Sequence, residues 1–166
     1  MELLANPGYN PECNLNPIFS CTSVTNSVQA KAFGFPNPYL GMIGYAAMAT
    51  VGAAMLAGAR FKRWFWLSVL AGLTFAVLFI HWLIYQALYS IGALCLYCMV
   101  VWAATIPMFW YTLLYLLDEK IIKPPPNLKK LAAFARKHHG DILLVWFLII
   151  IVLILNRFWY YWSTLL

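Results

Sequence analysis

The sequence predicts an all-α integral membrane protein: a transmembrane helix bundle of four spans with an outer cysteine loop and a short capping helix. Three observations carry this. The 166 residues are 64% hydrophobic and only 10% charged, where a soluble domain is nearer half apolar and a quarter charged. Four apolar runs are close to or above the roughly 20 residues that cross a bilayer. The basic residues also fall in two blocks. Arg60, Lys62 and Arg63 make one, and Lys120, Lys123, Lys129, Lys130, Arg136 and Lys137 the other, together nine of the eleven. A net charge of +6 would point to nucleic acid in a soluble chain. Here it reports topology, and no nucleic-acid partner is expected.

The elements follow in order. Residues 1–12 are polar and turn-rich with no apolar core, so they do not read as a cleavable signal. Asn and Pro make NPECNLNPIFSC, residues 10–21, a turn-forming loop. From Ser20, as N-cap, the sequence SCTSVTNSVQAKA turns helical, with Cys21, Val24 and Val28 on one face. Too short to span, it is expected to lie over the outer end of the bundle. The spans are expected over residues 38–59, 64–88, 91–117 and 142–162. Because the basic blocks follow spans one and three, the positive-inside rule turns both to the cytoplasm. The cysteine loop, the tight Tyr89–Ser90 turn and the C-terminus then face outward.

Finer signals agree with these spans. Phe61, Trp64, Phe65 and Trp66 crowd the inner boundary and Phe158 to Trp162 the outer one, as aromatic belts do. Ala49, Ala53 and Ala57 give span one a small-residue face that lets another helix approach closely. Pro107 is expected to kink span three. Pro124, Pro125 and Pro126 form a stiff connector. Asn127 then caps, and Gly140 ends, a basic helix with Leu128, Leu131, Phe134 and Ala135 on one face. Such a helix suits the membrane surface, although a solvated basic loop is the plainer reading.

Four cysteines remain to be explained: Cys13 and Cys21 in the loop, Cys95 and Cys98 at the outer end of span three. All lie on the oxidising side, where disulfides persist, and three pairings are open. Two inert bridges tying loop to bundle would explain the count. A C-x-x-C at a helix start instead sets its thiols beside free backbone N–H groups, the setting of reactive cysteines. Met99 after Cys98 gives no support to covalent haem, and the gap between Cys13 and Cys21 is too wide for a zinc knuckle; no metal site is expected. His81 and Tyr85 lie in the outer half of span two. An ionisable group at that depth is a candidate for function; the blander alternative is a buried histidine satisfied by a neighbouring helix.

Taken together, these residues resemble the vitamin K epoxide reductase family, its bacterial disulfide-forming members in particular. The match is C-x7-C at Cys13 and Cys21, then Ser27, then FPNP from Phe35 to Pro38 opening one membrane helix, then ALCLYC opening another. It covers roughly residues 6–118. The resemblance implies an electron relay. Cys95 and Cys98 look like the redox pair beside a quinone, with Cys98 against the ring, and Cys13 and Cys21 like the shuttle that takes electrons from a partner's dithiol. Cys21 would exchange with Cys95. Asn37 matches the asparagine that hydrogen-bonds a quinone carbonyl, and Ser27 the serine that steadies the loop helix; locally, they read as a turn former and a surface hydroxyl.

Two departures stand out. Trp102 occupies the place where animal relatives carry a quinone-contacting tyrosine. The family also has a membrane helix before the cysteine loop. Here either the chain is truncated, or span four, which runs in the required direction, fills the place.

The implied function is a quinone-dependent membrane thiol oxidoreductase. It would pass electrons from a secreted thioredoxin-fold oxidase, DsbA-like or thioredoxin-like and separate or fused, to menaquinone or ubiquinone. Residues 1–37 would be the extracytoplasmic loop, 38–117 a three-helix redox core, 118–140 the basic cytoplasmic linker and interfacial helix, and 141–166 the fourth span. Candidate catalytic residues are Cys13, Cys21, Cys95 and Cys98; candidate cofactor-binding residues are Asn37, Trp102, Ser27 and His81. The expected location is the cell membrane, multi-pass, in contact with lipid, with the redox site on the extracytoplasmic face. A membrane bundle whose disulfides only staple the loop is the non-enzymatic alternative.

Overall fold

The computed structural model describes residues 13–14 and 18–163, Trp162 by its main chain alone. The polar stretch expected over residues 1–12 lies outside them, as do residues 15–17 of the cysteine loop. Among the described residues the chain is helical, with no strand and one isolated parallel bridge. Four helices are long and apolar enough to cross a membrane: α2 (Pro38–Leu56), α3 (Arg63–Ile91), α4 (Leu96–Asp118) and α6 (His139–Arg157). The fold class is the all-α transmembrane one read from the composition. By packing, the chain forms two units. One holds the chain up to Phe65 together with Phe79–Trp102, the other Trp66–Leu78 together with Ala103 onward. Helices α3 and α4 run through both.

The first unit carries all four cysteines. Its opening helix, α1, is Cys21–Thr25, with Ser20 in extended conformation as N-cap and its hydroxyl accepting from Ser23 N–H at 3.3 Å. The helix is shorter than expected. Ser27 Oγ donates to Val24 O at 2.6 Å, and a 3-10 turn, Val28–Lys31, follows. Side chains that bond nearby carbonyls compete with helix propagation. Val28 therefore leaves the face of Cys21 and Val24 and stands 86% exposed.

Pro38 opens α2 at a position whose N–H needs no partner. The helix ends three residues short of the expected 59 because Gly58 turns left-handed at φ +86°. No α2 residue is buried; Ala49, Ala53 and Ala57 are exposed, and Tyr45 OH donates to Val101 O at 3.1 Å.

The turn expected at Tyr89–Ser90 is instead helical. Helix α3 passes into a π segment, Ala87–Ile91, and the chain breaks away at Gly92, φ +69°. A π turn fits one more residue into the helix. Helix α4 then begins at Leu96, because Leu94 is engaged in the bridge described below. A Cβ at Gly92 would touch nothing within 4 Å, so its cost is conformational alone. Gly92→Ala is expected to lower stability by about 1–2 kcal/mol, read as a lower thermal unfolding midpoint in detergent.

In the second unit, Trp66 and Phe158, near the ends of their spans, are buried, and Trp66 packs on Tyr115 at 4.8 Å. Pro107 lies inside α4, which continues past it. After the prolines a 3-10 turn, Pro126–Leu128, leads into α5, Lys129–Lys137. Asn127 thus sits within that turn and does not cap the helix. Arg136 pairs with Asp118 at 3.2 Å and Ala132 is buried, while Leu128, Leu131 and Phe134 are exposed. Helix α5 stops at His138, and Gly140 falls in the first turn of α6. Helix α4 holds that start: Trp110 Nε1 donates to His139 O at 3.1 Å, and Tyr111 OH meets His139 Nδ1 at 3.3 Å. The chain closes with α7, Trp159–Trp162.

Candidate active site

The site is assembled by main chain before side chains enter. Leu94 N–H donates to Ile18 O at 2.7 Å and Ser20 N–H donates to Leu94 O at 2.9 Å, forming the parallel bridge between Phe19 and Leu94. Ile18 and Leu94 are almost wholly buried, at 1% and 0% exposure, so these bonds lie away from competing water. Cys21 follows Ser20, and Cys95 follows Leu94. Pairing residues 18–20 with residue 94 therefore sets the two cysteines side by side. Helix α1 also packs against the π segment Ala87–Ile91.

The sulfurs follow from that frame. Cys13 and Cys21 form a disulfide, with Cα atoms 5.9 Å apart. Cys95 is a free thiol and donates toward Cys21 Sγ at 3.2 Å. Cys13, Cys21 and Cys95 are buried together, with Val24, Leu96 and the half-buried Cys98 packed around them. Three sulfurs thus stand in sequence, with Cys21 between a bonded and an unbonded neighbour. Exchange requires a thiol to reach a disulfide sulfur, and Cys95 is already at that sulfur. Cys98 lies in the first turn of α4, one turn beyond Cys95.

The other expected residues are distributed around this cluster. Ser27 closes the end of α1 and starts the 3-10 turn. Asn37 Nδ2 donates to Gln29 O at 2.8 Å, and its main-chain N–H donates to Ala30 O at 2.9 Å. Its Oδ1 is buried and has no hydrogen-bond partner. Such an oxygen costs about 1–3 kcal/mol, so a donor brought to it is favoured. Trp102 is buried on α4 one turn beyond Cys98, and His81 is half-buried on α3. Asn37, His81 and Trp102 lie outside the sulfur cluster. No three metal-ligating side chains gather among the described residues.

Sequence reasoning missed Asn14. Its Nδ2 donates to Thr22 Oγ1 at 2.8 Å and its Oδ1 accepts from Thr22 N–H at 3.3 Å. The one available signal was its place directly after Cys13, matching that of Thr22 after Cys21.

The model of the vitamin K epoxide reductase family matches residues 1–113, which include every residue of this site. No curated protein and no solved structure matches the chain.

Proposed function

Because the chain belongs to the vitamin K epoxide reductase family, an oxidoreductase family, we propose that it is a quinone-coupled thiol oxidase that makes disulfides for a secreted thioredoxin-fold partner. The observation that carries this reading is the free Cys95 thiol 3.2 Å from a sulfur of the Cys13–Cys21 disulfide. A bridge that only stapled the loop would need no free thiol at its side.

The cysteines act in a balanced sequence. A partner thiolate attacks Cys13, releasing Cys21 as thiolate; the partner's second thiol then closes its own disulfide and frees Cys13. Cys21 attacks Cys95 of an oxidised Cys95–Cys98 pair, and Cys98 leaves as thiolate. Cys13 attacks Cys21, restoring the loop disulfide and leaving Cys95 reduced. Two electrons have moved from the partner to the core pair. A DsbA-like partner, near about −120 mV, gives up electrons only to an acceptor of higher potential.

A membrane quinone, menaquinone or ubiquinone, supplies that acceptor for two electrons and two protons. The residues fit one. The Asn37 amide offers a buried oxygen without a partner and a second N–H beyond the one bonded to Gln29, so it can serve both an O–H and a carbonyl. Cys98, Asn37 and Trp102 would hold the head group. Ser27 would steady the loop above it, and His81 would be a further contact. The basic residues after α2 and α4 support a cell-membrane orientation with the cysteine end extracytoplasmic.

The test is quinone reduction by the purified protein with a dithiol donor, followed by absorbance. Cys98→Ala is expected to bring it to background and to accumulate a Cys21–Cys95 disulfide, since nothing then resolves that bond from the core side. Undiminished reduction in Cys98→Ala would refute the proposal.

A further inference from the structure

We propose that Asn14 is the positioning residue of the loop pair, keeping Cys13 beside Cys21 whether or not a bond joins their sulfurs. The inference rests on the relay reading above and names what holds the shuttle together between its two states.

The geometry is specific. Residues 14 and 22 each directly follow a cysteine, and one Asn14 side chain makes two bonds to residue 22, one to its hydroxyl at 2.8 Å and one from its N–H at 3.3 Å. Thr22 N–H is one of the donors that a helix leaves free in its first turn. Ser20 takes the Ser23 N–H, so Asn14 and Ser20 cap α1 jointly, one from across the loop and one from within the chain. Helix α1 is in turn fixed by the Ser20–Leu94 bond. The segment carrying Cys13 is therefore tied to the frame that holds Cys21 and Cys95 by bonds that do not involve sulfur.

This matters when the disulfide opens. Two partner thiols lose two electrons and two protons as their sulfurs join; the Cys13–Cys21 bond breaks and each loop sulfur becomes a thiol. An untethered Cys13 would then wander, and closing the ring again would cost loop entropy. The Asn14 clasp confines the dithiol, raising the effective concentration of one thiol at the other. It stabilises the disulfide over the dithiol, because the closed ring already holds residues 14 and 22 together and the clasp forms there without the ordering cost it meets in the dithiol. The relay then moves by exchanging sulfur partners at Cys21, with Cys13 waiting in place.

The experiment measures the loop pair's reduction in the full-length protein in detergent, with Cys95→Ala and Cys98→Ala so that only Cys13 and Cys21 titrate. Samples are equilibrated in dithiothreitol buffers of graded oxidation, and free thiols are counted by alkylation and mass. Asn14→Ala is expected to make the disulfide about tenfold easier to reduce, a midpoint about 30 mV higher. Asn14→Asp keeps two acceptors for the Thr22 N–H and hydroxyl and is expected to hold the original midpoint. Thr22→Val, which loses the 2.8 Å bond alone, is expected to shift about threefold in the same direction and serves if Asn14→Ala folds poorly. An unchanged midpoint in both Asn14→Ala and Thr22→Val overturns the proposal, as does Asn14→Asp shifting as far as alanine. The measurement uses neither quinone nor partner. A shifted midpoint here, alongside no quinone reduction by the protein with all four cysteines in place, would remove the relay reading and leave the clasp.

Discussion

Cys95→Ala is expected to lower dithiol-to-quinone electron transfer by roughly four orders of magnitude, the scale on which covalent enzymes lose rate when the attacking group is removed. Among the described residues it is the Cys95 thiol that donates to the Cys21 sulfur, so alanine takes away the partner to which Cys21 would transfer. The Cys13–Cys21 disulfide should stay whole, because the thiol that donates to the Cys21 sulfur is gone. That separates this variant from Cys98→Ala. With Cys98 absent, Cys95 can still attack Cys21 and release Cys13, leaving a bond between loop and core that no core thiol resolves. Mapped disulfides therefore read Cys13–Cys21 for Cys95→Ala and Cys21–Cys95 for Cys98→Ala. Finding the Cys21–Cys95 order of exchange replaced by a Cys21–Cys98 bond in active protein would reverse the two roles.

Leu94→Pro is the second large effect. Proline has no N–H, so the 2.7 Å bond to Ile18 O is lost. The fully buried leucine side chain goes as well. Together these are expected to cost about 3 kcal/mol or more. The sharper consequence concerns exchange. Displacing reacting atoms by about 1 Å can cost about a hundredfold, and the bridge is what aligns Cys21 with Cys95. In a Cys13→Ala, Cys98→Ala background, closure of the Cys21–Cys95 bond under mild oxidant, followed on non-reducing gels, should slow about a hundredfold in Leu94→Pro. Leu94→Ala, which removes the packing but keeps both bridge bonds, should lose stability and retain most of the closure rate. Equal slowing in the two variants would show that packing, not the main-chain pairing, sets the alignment.

The spans and the cysteine pairs were legible in the sequence for a simple reason. Long apolar runs and repeated thiols are properties of residue identity, and identity is what a sequence displays. The features that bring the site together are of another kind. The bridge at Leu94 joins main-chain groups that any residue but proline possesses, so no pattern announces it. A π turn at Ala87–Ile91 differs from an α turn by one residue in register, within a run that is apolar either way. Asn14 sits in a stretch rich in turn formers, where its amide looks like any other. The early start of α6 depends on Trp110 and Tyr111 of α4 reaching His139, contacts between residues far apart in the chain. Gly140, a sound helix terminator by its own preference, was outweighed there.

The bridge also bears on how such a protein can diverge. Since Ile18, Ser20 and Leu94 are paired through amides and carbonyls, the alignment of Cys21 with Cys95 does not depend on which side chain stands at residue 19. A different side chain at that position leaves both bridge bonds in place. Side-chain identity in the loop and sulfur alignment are thereby separable within one short segment.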